Sequence, residues 1–180
     1  MDLTSSRAGE RLFSAGIAAM RQHFSEQIGL IEQHTDTGVH HPIRESFGFA
    51  YGLVQAEGEA ALPRAERIIR RALQAQERQA GNLHHGGFKW MDEDRGVTDL
   101  NAVQFALEQL VPFVLDYGDR ISADLRAELL AAIRDGAAEI ARLIVDRNIS
   151  AVIVVDDDRR ILGLVSEGDV MRRSETGTDK

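Results

Sequence analysis

Ser166-Glu167-Gly168-Asp169 is the stretch whose residue types and spacing best suit ligand chemistry. A serine at a helix start offers its hydroxyl, and the backbone N–H groups that follow point the same way, so together they can hold a phosphate. Asp169 lies beside the same helix end. Just upstream, Gly163 has no side chain to keep a ligand or a neighbouring strand away from the backbone. A purely structural use of these residues also exists: Ser166 caps the helix and Asp169 complements its dipole. The adjacent pairs His40-His41 and His84-His85 invite a metal reading. Neighbouring side chains diverge, however, and the pairs lack the i, i+4 spacing of the zinc motif His-Glu-x-x-His, so no metal site is expected. Neither a Gly-x-Ser-x-Gly elbow nor a Walker phosphate loop is present.

The elements that must position these residues read as helices first and strands last. Ser5 or Ser6 can cap a first helix, with an apolar stripe of Phe13, Ile17, Met20, Phe24, Ile28 and Ile31. His34 to His41 reads as a polar loop. Pro42 suits a helix start, where its missing N–H is not needed. Ile43, Phe47, Ala50, Tyr51 and Val54 make the stripe of that second helix, which Gly58 ends. Pro63 opens a third, burying Ile68, Ile69, Ala72, Leu73 and Gln76. Ala80 to Thr98 has no periodicity, and a loop of that length inside a compact domain is often functional. Asp99 can cap a fourth helix carrying Leu100, Val103, Leu107, Leu110, Val111 and Val114, with Pro112 expected to kink or break it. After Gly118, Ser122 caps a long fifth helix with Leu125, Leu129, Ile133, Ala137, Ile140 and Ile144. Short connections predict antiparallel helical hairpins without strands between Ala8 and Ala132. Beyond Asn148 the period changes: Ala151–Val155 and Ile161–Val165 read as strands joined by an Asp156-Asp157-Asp158 turn, and Glu167–Arg173 as a short helix.

The chain has 180 residues and a net charge of −8, which gives a duplex-binding surface no obvious source. It has no cysteine, so disulfides, thiolate zinc sites and cysteine nucleophiles are excluded. No signal peptide is expected, and no apolar run approaches the roughly 20 residues that span a bilayer. A cytoplasmic protein that binds neither nucleic acid nor membrane is the expectation.

The run from Asn148 to Arg173, with the helix Ala138–Arg147 before it, resembles the strand–strand–helix half of a CBS domain. The resemblance implies a regulatory module, usually paired, that binds adenosine nucleotides between the paired units. It also implies a role for each motif residue, the family's Ser/Thr-x-x-Asp contacting phosphate and ribose through Ser166 and Asp169. Ile153 and Arg159 depart from the family, which often has proline and glycine there. A two-stranded sheet is marginal by itself, and neither an earlier strand nor a second copy of the module is evident. Another chain is therefore expected to complete the nucleotide site, by self-association through the C-terminal sheet.

A second resemblance rests on His41-Pro-Ile-Arg-Glu-Ser-Phe-Gly-Phe-Ala-Tyr-Gly-Leu, Arg64-Ala-Glu-Arg-Ile-Ile, Gly87-Phe-Lys-Trp and Asp99-Leu-Asn-Ala. These look like the start of bacterial α/α-toroid proteins, which are relatives by fold of six-hairpin glycosidases and polysaccharide lyases. The helices expected here make only part of such a ring. The resemblance implies sugar-binding candidates Arg44, His84, His85, Trp90 and Asn101. It also suggests Glu45 and Asp99 as weak candidates for an acid–base pair, if they lie within about 10 Å as in an inverting glycosidase. Against that stand an Arg44–Glu45 ion pair at a helix start, Asp99 as a cap and Trp90 as a core anchor.

The fold expected is mainly α: antiparallel α-hairpins, a partial α/α toroid, over residues 1–137, followed by a small β-β-α CBS-like unit over residues 138–180. The preferred function is non-enzymatic, with no catalytic residue and no cofactor other than a regulatory adenosine nucleotide. That nucleotide would bind at a dimer interface through Gly163, Ser166 and Asp169. The alternatives are a fragment of a carbohydrate-active toroid protein and a helical interaction module.

Overall fold

The computed structural model describes residues 7–146, 151–155 and 161–166. The chain divides into two compact units, Met1–Gly136 and Ala137–Lys180. It is mainly helical, with small antiparallel sheets.

In the first unit, α1 (Arg7–Gln22) leads into two short hairpins, β1 (Phe24–Ser25) with β2 (Leu30–Ile31) and β3 (Gln33–Thr35) with β4 (Gly38–His40). Then come α2 (Ile43–Glu57), a 3-10 turn, α3 (Leu62–Ala72), a second 3-10 turn, a long irregular segment and α4 (Asn101–Tyr117). The helix α5 (Ala123–Asp146) follows. The two hairpins correct the strand-free reading of this region. The stripe expected to carry α1 through Phe24, Ile28 and Ile31 is cut by Gly29, which takes φ 81° and donates its N–H to Ser25 O at 2.7 Å. The polar stretch His34–His41 forms most of the second hairpin, its turn held by the Thr35 hydroxyl, which accepts the Thr37 N–H at 3.2 Å. The proposed caps Ser5 and Ser6 lie outside the described residues.

α2 is the organising element and packs against α1, α3 and α4. It starts after Pro42, as expected, and ends at Gly58. Ser46 is fully buried because its hydroxyl bridges two elements, donating to Pro42 O at 2.8 Å and accepting the Ile31 N–H at 3.0 Å. Ile17 of α1 lies against Gly52, where an added Cβ would force the Ile17 side chain to shift. Phe47 and Phe49 are buried, Phe47 edge-on to Phe88 at 5.9 Å between ring centres and Phe49 tilted against Phe24 at 5.3 Å. Each such ring stabilises by roughly 1.5–3 kcal/mol. An exposed pair such as Arg21–Glu57 contributes about 0–1 kcal/mol, so the apolar core holds α2 in place.

α3 buries Ile68, Ile69 and Ala72, with Leu73 and Gln76 buried just beyond its end. α4 buries Ala102, Val103, Ala106, Leu110 and Phe113. It continues past Pro112 to Tyr117, so the proline does not break it. A helical proline forfeits one hydrogen bond and crowds the turn before it, but Leu110 and Phe113 on either side are anchored in the core. No helix among the described residues is long and apolar enough to cross a membrane.

In the second unit, β5 (Ala151–Val155) and β6 (Ile161–Ser166) form an antiparallel pair. Val152 faces Val165, Ile153 faces Leu164 and Val154 faces Gly163, with an irregular step between Val154 and Val155. The helix expected over Glu167–Arg173 lies outside the described residues.

Candidate functional site

The CBS-like hairpin places two of its three candidate residues. Gly163 sits in the middle of β6 opposite Val154, and Ser166 closes the strand opposite Ala151. Asp169 lies outside the described residues.

In the first unit, the sequence candidates gather around the irregular segment between α3 and α4, which is tied down along its length. Gln76 is buried and its Nε2 group donates to Gly86 O at 3.1 Å and Ala132 O at 2.9 Å, using both amide hydrogens. Glu77 N–H donates to Gly87 O at 2.9 Å, and Gly86 N–H returns to Glu77 O at 2.8 Å. Further along, Arg71 of α3 grips Asp92 with both guanidinium arms, one bond measuring 2.8 Å. That pairing raises the arginine above its ordinary value. Ile43 N–H donates to Trp90 O and Asp92 N–H to His41 O, each at 3.0 Å, which pins the segment to the start of α2.

Four toroid-type candidates fall into one run of contacts. The Arg44 guanidinium lies over the Phe105 ring at 4.7 Å, not on Glu45. Phe105 packs on Trp90 at 5.3 Å between ring centres. The Trp90 indole N–H donates to Asp99 Oδ2 at 3.1 Å, and Asp99 Oδ1 accepts the Asn101 N–H at 2.9 Å. Asp99 thus has both carboxylate oxygens engaged in holding the segment and the start of α4. Glu45 is exposed and lines a groove of about 410 Å³ with His23, Glu32 and His34. His85 lies elsewhere, 3.8 Å from Asp135.

Sequence reasoning missed a cluster around His41. Its Nδ1–H donates to Glu93 Oε1, and its main-chain N–H donates to Glu93 Oε2 at 3.1 Å. Burial raises the Glu93 carboxyl, but these hydrogen bonds from His41 outweigh it and leave the group below its ordinary value. Glu32 is likewise lowered, by the Ser25 hydroxyl first and by His41 and His34 nearby. His41 and Glu93 are far apart in the chain, so no spacing rule could have joined them. Among the described residues, no group of three His, Asp or Glu side chains is placed to hold a metal ion.

Comparison with protein families gives one match: the CBS domain, over residues 132–176. It spans β5, β6 and the Ser166–Asp169 motif and reaches back into α5. No curated protein and no solved structure matches the chain. The α/α-toroid resemblance finds no support in these comparisons.

Proposed function

We propose that this is a regulatory protein whose C-terminal CBS unit binds an adenosine nucleotide between two copies of the chain, in the cytoplasm and without catalysis. The observation that carries this reading is the CBS match across residues 132–176, which includes Gly163, Ser166 and Asp169. The antiparallel β5–β6 pair agrees with it, because Gly163 then sits beside Val154 with no side chain to obstruct a ligand, and Ser166 stands at the strand end. Its chemistry would be recognition: Ser166 and the following N–H groups take the phosphate, and the Asp169 carboxylate accepts hydrogen bonds from the ribose hydroxyls. Two strands whose outer edges pair with no other strand among the described residues favour a partner strand, and a second copy would supply one. The test is thermal unfolding with AMP, ATP and adenosine. A ligand at about 100 times its Kd stabilises by about 2.7 kcal/mol, so AMP or ATP should raise the midpoint, whereas no shift at millimolar nucleotide refutes the reading. Sedimentation of the full chain should show a concentration-dependent dimer.

A second reading, carbohydrate recognition by a partial α/α toroid, is favoured by the run Arg44–Phe105–Trp90–Asp99. Trp90 is the only tryptophan and half-buried, so a sugar ring stacked there would change the intrinsic fluorescence. Oligosaccharide-dependent fluorescence and stabilisation would support it. A response to neither ligand would leave a helical interaction module.

A further inference from the structure

The end of β2, the start of α2 and the distant segment around Glu93 meet at the His41 side chain, which is 12% exposed. Glu93 holds Nδ1–H with one carboxylate oxygen and the His41 main-chain N–H with the other. The second ring nitrogen, Nε2, is buried, makes no hydrogen bond, and lies 3.8 Å from Glu32 Oε1. Glu32 follows β2 and is also 3.7 Å from His34 Nε2 on β3. From α3, Arg71 faces the cluster through Asp92, the neighbour of Glu93. The charged and titratable groups around the ring are therefore Glu32, Glu93, His34, Asp92 and Arg71.

A neutral imidazole carries one N–H. Spent on Glu93, it leaves Nε2 as a bare acceptor directed toward another carboxylate, so two lone-pair groups confront each other. A proton on Nε2 turns that confrontation into attraction, with an N–H facing Glu32 and a cation between two anions. We infer that His41 is a proton-controlled clasp: charged, it binds the segment 90–94 to both the end of β2 and the start of α2; neutral, it loses the Glu32 side of the grip. Glu32 and Glu93 are both held below the usual carboxylate range, so both carboxylates stay charged on either side of neutrality and can face the proton on the ring. The grip tightens when the ring takes up its second proton and loosens when it gives that proton up.

The reporters are the two amides that join the segment to α2, Asp92 N–H on His41 O and Ile43 N–H on Trp90 O. Hydrogen exchange of the full chain, corrected for intrinsic rates, is compared at about pH 5.5 and about pH 8, on either side of the ordinary histidine value. Both amides should be about two- to fivefold better protected at the lower pH, the factor a partly exposed ion pair provides. His41→Asn, which keeps a donor for Glu93 but cannot charge, should abolish the difference. Glu32→Gln should abolish it too while sparing the Glu93 bond, and it keeps the test open if the His41 variant fails to fold. His34→Asn should leave the difference intact. Equal protection at the two pH values overturns the inference. So does a difference that survives both His41→Asn and Glu32→Gln, or one that vanishes with His34→Asn.

Discussion

Replacing Gly86 with alanine should destabilise the first unit by about 2–5 kcal/mol, and the structure separates two contributions. Gly86 has φ 91°, where an L side chain costs about 1–2 kcal/mol. Its Cβ would also lie 2.1 Å from Asp135 O and 2.5 Å from Asp135 C, backbone atoms of α5 that cannot rotate away. Helix and segment must move apart, and forcing atoms into a packed region costs about 1–3 kcal/mol more. The separation would also strain the Gln76 bonds to Gly86 O and Ala132 O. Gly81 is the control: φ is 83°, yet nothing lies within 4 Å of its would-be Cβ. Gly81→Ala should therefore cost only the backbone part, about 1–2 kcal/mol. Urea unfolding followed by Trp90 fluorescence reads the first unit, with the stability change taken from the midpoint at constant slope. Equal losses in the two variants would refute the argument that close packing of the segment on α5 fixes its path.

Gln76→Leu should cost about 2–4 kcal/mol in the same assay, because two buried carbonyls lose their donor; a loss under about 1 kcal/mol would mean that they find other partners. The Glu93 carboxyl is held below its ordinary value of 4.5, so its contribution to stability is present above that value and is lost as pH falls through the lowered one. Glu93→Gln should flatten the acid limb of the stability profile, and an unchanged limb would contradict the pairing with His41.

The helices were legible because their signals are local. Pro42 and Gly58 bracket α2, and the Ile68-Ile69-Ala72 face of α3 is buried as its spacing implies, with Leu73 continuing it into the next turn. The strands β5 and β6 were legible too, since a β-branched run, an acidic turn and a second apolar run need no partner outside the segment to be read. The first hairpins were not. Phe24, Ile28 and Ile31 keep a helical spacing that Gly29 overrides, and Leu30 and Ile31 are both buried, so no alternation marks β2. Pro112 does not end α4, because the core contacts of Leu110 and Phe113 are tertiary and outweigh a local break. For the candidate site, residue types could nominate Trp90 and Asp99, yet nothing in the spacing said that they bond to each other. The His41–Glu93 and Arg71–Asp92 pairs were invisible for the same reason: they join positions that only the folded chain brings together.

Calorimetric titration of the full chain with AMP and ATP, repeated on Asp169→Ala and Ser166→Ala, tests the central claim most directly. The account predicts saturable binding of at least one of these nucleotides. It predicts a loss of about 10- to 100-fold in Asp169→Ala, since a charge-assisted hydrogen bond is worth roughly 1.5–3 kcal/mol. Ser166→Ala should weaken the nucleotides more than adenosine, which has no phosphate to lose. If no adenosine nucleotide binds at millimolar concentration, or if both variants bind as the unmodified chain does while losing about 1 kcal/mol of stability, then Ser166 and Asp169 serve the helix end alone and the regulatory reading fails.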